Sequence, residues 1–163
     1  MEYQSTRSGS KPVGFFDAFA AGLSPDGGLY VPEALPRLPD DLATDGVLPY
    51  PALAFDFLRL FDTDHSGDDL INLIDESYGS FTDLATAPLK KLADNLFVLE
   101  LFHGPTLAFK DFGLQLVGNL FEDQIQRTGR PINVLGATSG DTGSAAIHGL
   151  ANKEGANVFI LYP

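Results

Sequence analysis

Two short apolar runs near the C-terminal end, residues 132–136 (Ile-Asn-Val-Leu-Gly) and 157–162 (Asn-Val-Phe-Ile-Leu-Tyr), limit the possible folds more than any other feature of the chain. Between them lie a turn of small polar residues and a helical pattern from about Thr142 to Asn152. Strands that are apolar throughout are buried on both faces, and two of them joined through a helix pair in parallel. The fold class is therefore α/β, with a strand-helix-strand unit at the beginning of a parallel sheet covered on both faces.

The turn inside that unit reads Ala137-Thr-Ser-Gly-Asp-Thr-Gly143. It offers backbone N–H groups and hydroxyls at a helix start, with Ser139 or Asp141 near the N-cap and small residues Gly143, Ser144, Ala145 and Ala146 behind it. Such a helix end attracts anions. Glycines at 136, 140 and 143 do not match a dinucleotide fingerprint, and the Gly-Lys-Ser/Thr ending of a nucleotide P-loop is missing. The anion is then a carboxylate or a small phosphate ester; the alternative is an ordinary capped turn.

A second stretch, Leu99-Glu-Leu-Phe-His-Gly-Pro-Thr-Leu-Ala-Phe-Lys-Asp-Phe-Gly113, sets Lys110 among aromatic and apolar neighbours just after a Gly-Pro break, where a helix from about Phe109 to Arg127 begins. Burial beside Leu107, Phe109 and Phe112 would disfavour the ammonium and leave a usable nucleophile. Taken alone, the same pattern also suits a solvated lysine that lays its stem over apolar neighbours.

Together these two stretches closely resemble the threonine synthase family, pyridoxal-phosphate (PLP) enzymes of fold type II. Tyr3-Gln-Ser-Thr-Arg7, Asp26-Gly-Gly-Leu-Tyr-Val-Pro32 and Val158-Phe-Ile-Leu-Tyr-Pro163 are similar to the family's N-terminal half as well. The resemblance covers nearly the whole chain and is least distinctive between about residues 36 and 95. One departure is Ser8, which stands between Arg7 and Gly9 where the family runs Ser-Thr-Arg-Gly.

The resemblance implies that Lys110 carries PLP as a Schiff base and, once the substrate amine displaces it, acts as the catalytic base. O-phosphohomoserine and water would become threonine and phosphate. Thr138, Ser139, Gly140 and Thr142 would hold the substrate carboxylate. Asp141 stands where many fold-type II enzymes carry an asparagine facing the ring hydroxyl; when ionised it accepts a hydrogen bond but cannot donate one. His103 and Thr106 are candidates for the substrate phosphate, or else hydrogen-bonding residues of the turn. In such enzymes the glycine-rich loop that cradles the cofactor phosphate lies farther along the chain. The sequence thus reads as the first part of a longer enzyme, inactive alone. It divides into an N-terminal domain of helices and short strands (1–92) and the incomplete start of the fold-type II PLP domain (93–163). Two rivals remain: a threonine-synthase-like phospho-lyase that releases a keto acid, and a non-catalytic module that binds a small anion or docks a partner at its sheet edge.

The rest of the chain is read as structure. Residues 2–7 and 29–31 are short strands; Phe15, Phe16, Phe19 and Leu23 share a helical face; the turn at residues 24–28 stops that helix; residues 32–46 are loop. Leu53, Phe57, Leu58 and Phe61 mark a second helix, and Ser66 with Asp69 caps a third bearing Leu70, Ile71, Ile74 and Tyr78. His65, among Asp62, Asp64, Asp68 and Asp69, is taken as part of a solvated acidic loop rather than a metal site. His148 is read as a packing or surface residue, and residues 95–102 as a strand. A formal charge of −12, from 22 acidic and 10 basic residues scattered along the chain, argues against a nucleic-acid partner. The absence of cysteine, of a long apolar run and of a signal-like start leads to the expectation of a cytoplasmic, non-membrane protein.

Overall fold

The computed structural model describes residues 1–39 and 48–163. The loop expected over residues 32–46 lies outside the described residues from residue 40 on. The chain gathers into two compact units, Met1–Asn72 and Leu73–Pro163.

In the first unit, β1 (Tyr3–Ser5) pairs antiparallel with β2 (Tyr30–Pro32), setting Tyr3 opposite Pro32 and Ser5 opposite Tyr30. Helix α1 (Phe15–Ala21) stacks the rings of Phe15 and Phe19 at 6.3 Å and sets Phe15 edge-on to Tyr3 at 6.1 Å. It stops at Gly22, whose φ of 67° suits a residue without a side chain. Leu23, expected on the same face, therefore lies past the helix and is exposed. Helix α2 (Tyr50–Leu58) ends before Phe61, which still meets Phe57 at 5.0 Å between ring centroids. Helix α3 (Gly67–Tyr78) starts as expected: Ser66 Oγ accepts from the Asp69 N–H at 3.2 Å and donates to Asp69 Oδ2 at 2.8 Å.

The acidic run before α3 is not a solvated loop. The side chains of Asp62 and His65 are enclosed, with Asp62 Oδ2 2.6 Å from His65 Nδ1. Asp62 Oδ1 accepts from the backbone N–H groups of Asp64 and His65 at 3.1 and 3.2 Å. The Phe16 ring covers the imidazole at 5.1 Å, and the Phe16 N–H donates to Asp64 Oδ2 at 2.8 Å. Asp62 is turned inward because these local donors meet its carboxylate, while the exposed Asp64 receives a donor from 48 positions away in sequence, the Phe16 N–H. Nearby, the Tyr3 hydroxyl donates to the Phe61 carbonyl at 2.9 Å; burial, then the Asp62 and Asp64 charges, raise its pKa.

Asp26 clamps the opposite end of β1. Its carboxylate accepts from Ser5 Oγ at 2.7 Å and from the N–H groups of Gly28 and Gly9 at 2.9 and 2.8 Å. The extra residue Ser8 is absorbed in this turn at a φ of 55°.

In the second unit, β3 (Leu89–Ala93) and β4 (Leu96–Leu99) form an exposed antiparallel hairpin with a register shift between Lys91 and Ala93. The strand expected over residues 95–102 is thus shorter and belongs to a hairpin whose first strand, with Lys90 and Lys91, carries little β signal. Helix α4 (Asp111–Thr128) ends at Gly129 in the left-handed region, φ 66°. Strands β5 (Ile132–Ala137) and β6 (Ala156–Leu161) pair in parallel, Ile132 opposite Ala156 through Ala137 opposite Leu161, with α5 (Asp141–Leu150) as the crossover. This is the expected α/β unit. Its burial alternates, however, leaving Leu135, Phe159 and Leu161 exposed. One sheet face is covered among the described residues, not two.

Helices α4 and α5 meet without side chains between them. A Cβ on Gly118 would lie 2.0 Å from the Gly149 carbonyl oxygen, and one on Gly149 2.4 Å from that of Leu114. A buried polar string fastens the far end of this pair. Lys153 Nζ donates to Asn119 Oδ1 at 2.6 Å and Glu122 Oε2 at 2.5 Å, and Asn119 Nδ2 donates to Ser77 Oγ at 2.8 Å.

Two outcomes follow from these contacts. Gly118→Ala forces the helices apart, so denaturant titration followed by circular dichroism should show a loss of roughly 1–3 kcal/mol; an unchanged midpoint would refute the tight crossing. For Asp26, the Ser5 hydroxyl first and the Gly28 N–H next lower the pKa to about 2, below the ordinary carboxylate value of 3.8. A lowered folded-state pKa stabilises above the unfolded value and ceases to do so as pH falls through the folded one. The melting-temperature gap between wild type and Asp26→Asn should therefore be present at pH 6 and shrink steadily from about pH 4 to pH 2.

Candidate active site

Between the end of β4 and the start of α4 the chain makes successive turns built around one carboxylate. Asp111 is wholly buried. Its Oδ2 accepts from the Thr106 N–H at 2.9 Å, and its Oδ1 accepts from Thr106 Oγ1 at 2.8 Å and Gln115 Nε2 at 3.0 Å. A buried carboxylate needs donors of this kind. Gly104 leaves it room, since a Cβ there would lie 2.5 Å from Asp111 Oδ2. The turn also holds Leu107 at a φ of 62°, a conformation that a branched side chain rarely adopts.

Lys110 is the residue before α4, already helical at φ −62°, ψ −21°. It is half-buried, and Nζ stands 4.0 Å from the centroid of the Phe109 ring. Among the described residues its amine has no ion-pair or hydrogen-bond partner. The enclosure expected around it is only partial, because Leu107 and Phe109 are more than half exposed, at 69% and 56%. His103 Nε2 lies 2.8 Å from Glu100 Oε2, and the His103 carbonyl accepts from the Thr82 N–H at 2.9 Å. His103 and Thr106 are thus both engaged in bonds within the turns.

The second stretch follows β5. The Thr138 N–H donates to the Leu161 carbonyl at 3.1 Å, continuing the ladder, and Thr138 Oγ1 accepts from the Gly140 N–H at 3.2 Å. Gly140 is the N-cap of α5 and no side chain caps it, so neither Ser139 nor Asp141 takes the capping role expected of it. The first-turn N–H groups are left without a side-chain acceptor, at the positive end of the helix. Ser139, Asp141 and Thr142 are exposed; Thr138 and Gly140 are half-buried. A Cβ on Gly143 would lie 2.7 Å from Thr138 Cγ2 and 3.2 Å from the Tyr162 hydroxyl, so the missing side chain lets both approach the helix start.

Pairings between α4 and α5 bring the two stretches to one end of the unit. Gln115 Nε2 reaches the Ala145 carbonyl at 3.5 Å, Gly118 faces Gly149, and Glu122 meets Lys153 just past the end of α5. With Gln115–His148, Asn119–Lys153 and Leu114–Gly149 these pairs span offsets of 30 to 35 residues, later residues meeting later ones, so the helices run alongside one another in the same direction. Carried back one turn, these offsets set Lys110 alongside the first turn of α5. The sequence had not singled out Asp111, Gln115 or Tyr162. An acidic residue in the first turn of a helix, followed four positions on by an amide on the same face, was a readable signal for the first two. Tyr162 carried none, because its place depends on the parallel register. His148, exposed on α5, puts Nδ1 3.0 Å from Gln115 Oε1.

Comparison with known proteins accords with this arrangement. The family described as "Threonine synthase N terminus" matches residues 2–78. The chain is 48% identical to threonine synthase of Pseudomonas aeruginosa, over 100% of the chain and 35% of that protein. The PLP-bound threonine synthase from Brucella melitensis superposes with a TM-score of 0.94 at 39% identity, over 100% of this chain and 36% of that one. Threonine synthase from yeast gives 0.93 at 45% identity, over 99% and 35%. The chain spans about a third of the length of the curated relatives it matches. With sequence and fold agreeing along its entire length, the chain belongs to the threonine synthase family.

Proposed function

We propose that these residues are the lysine-bearing portion of a threonine synthase that converts O-phosphohomoserine and water to threonine and phosphate with PLP. The observation that carries this reading is Lys110: its amine is unpaired among the described residues, at a helix start level with the uncapped start of α5. That donor set fits the cofactor, which needs an amine free for covalent attachment beside a site for an anionic substrate. Identity to threonine synthases along the whole chain supports the same reading.

In this proposal Lys110 Nζ anchors the cofactor and, once the substrate amine has released it, takes the α-proton. When bound, PLP supplies the sink for the electron pair that proton removal leaves behind. Thr138, Ser139, Gly140 and Thr142 hold the substrate carboxylate with hydroxyl and backbone donors at the start of α5, fixing which α-bond faces Lys110. Asp141, an acceptor when ionised, takes the hydrogen bond of the ring hydroxyl. The same groups would serve a phospho-lyase, so the product distinguishes the two enzymes; a module that merely binds an anion would leave Lys110 unmodified.

Borohydride reduction of the PLP-loaded full-length protein should leave the label on the peptide containing Lys110, and not on those with Lys90, Lys91 or Lys153. Lys110→Ala and Lys110→Arg should each lower threonine formation at least about a thousandfold, because alanine removes anchor and base and a guanidinium stays protonated. A label elsewhere, or substantial activity in Lys110→Ala, overturns the assignment; keto acid as the main product replaces the synthase with the lyase. For the carboxylate site, Ser139→Ala and Thr142→Val should each raise KM for O-phosphohomoserine roughly tenfold or more, the cost of a hydrogen bond to a charged group. Steady-state kinetics checks this, and unchanged KM values would place the carboxylate elsewhere.

A further inference from the structure

We propose that Asp111 is the positioning residue for Lys110: its buried carboxylate, bonded to Thr106 on one side and Gln115 on the other, sets where the lysine amine stands relative to the start of α5. The inference rests on the reading of Lys110 as the cofactor lysine. Asp111 is closed to solvent and so is placed to act through its neighbour rather than on substrate.

Three observations assign it this role. Thr106 and Asp111 bond twice, through the Thr106 N–H and hydroxyl, closing residues 106–111 into a ring of chain that carries Lys110 within it. That ring includes Leu107 at φ 62°; the residue is 69% exposed, so backbone bonds rather than packing hold the unfavourable conformation, with the clamp at Thr106 on one side and the Leu107 N–H donating to the Gly104 carbonyl at 3.1 Å on the other. Gln115 then extends the clamp to the second helix. Its Nε2 donates to Asp111 Oδ1 at 3.0 Å and to the Ala145 carbonyl at 3.5 Å, while its Oε1 accepts from His148 Nδ1 at 3.0 Å. Through these bonds the lysine turn and the helix whose first turn would receive the substrate share one reference point. Gly104 belongs to the same device, since any side chain there would collide with the carboxylate.

The test is the rate at which PLP and borohydride label Lys110 in the folded full-length protein, with circular dichroism confirming the fold at the assay temperature. Thr106→Val removes one donor to Asp111 at nearly constant shape; Thr106→Ser keeps it; Asp111→Asn replaces one acceptor oxygen with a donor that opposes the groups around it. Small misplacements of a reacting group are costly, so Thr106→Val and Asp111→Asn should label Lys110 at least roughly tenfold more slowly, and Thr106→Ser within about twofold of wild type. Rescue by serine separates the hydroxyl bond from simple packing of the methyl group. Wild-type labelling rates in Thr106→Val, or equal slowing in Thr106→Ser, overturn the proposal; should Asp111→Asn fail to fold, the Thr106 pair decides it alone. If the wild-type protein takes no label at Lys110, the cofactor reading falls and this inference falls with it. Label at the expected lysine with unaltered rates in the folded variants overturns only the role of Asp111.

Discussion

The contact between the backbones of Gly118 and Gly149 governs the second unit. Helices separated by ordinary side chains lie 8–10 Å apart, whereas here the surfaces meet with no Cβ between them, and single side chains bridge the pair. Gln115 can then touch Asp111, Ala145 and His148 at once, and Lys153 can reach both Asn119 and Glu122. The unbroken run of contacts along the interface, offset by 30 to 35 residues, is a consequence of this close approach. It brings the two helix starts to the same end, and with them the Lys110 turn and the Thr138–Thr142 turn.

The acidic balance of the chain takes on a local meaning in the structure. Asp26, Asp62, Asp64 and Asp111 each accept hydrogen bonds from backbone N–H groups, and in three of the four from a neighbouring side chain too. These carboxylates act as turn clamps and helix caps. A formal charge of −12 therefore says little about the surroundings of Lys110, where the nearest carboxylate in sequence is buried and already engaged.

How much was legible depended on whether the physics was local. The capping box at Ser66 and Asp69 and the parallel strands β5 and β6 could be read directly, because each reports on its own few neighbours. The two stretches of the proposed site, Lys110 and the Thr138–Thr142 turn, stand out in the sequence, whereas their alignment does not: it depends on two glycines that look unremarkable there. His65 and Asp62 misled for the same reason, since the aromatic residues that enclose them come from α1. The hairpin strand β3 was missed because Lys90 and Lys91 are poor strand formers and find their partners only after the turn at Asp94 and Asn95.

The alternating exposure along β5 and β6 has a consequence for handling the chain. Each sheet among the described residues has two strands, and apart from β1, whose Tyr3 also bridges Val13, the strands present backbone groups open to further pairing. On β3, Lys90 and Lys91 act as gatekeepers against such pairing. The parallel pair has no charged residue within either strand; its exposed face is Leu135, Phe159 and Leu161 beside the Asn133–Asn157 amide bond of 3.1 Å. In a preparation of these residues alone, this ribbon is the segment on which identical chains would stack into β-aggregates at high concentration, making it the first place to add charge for solubility.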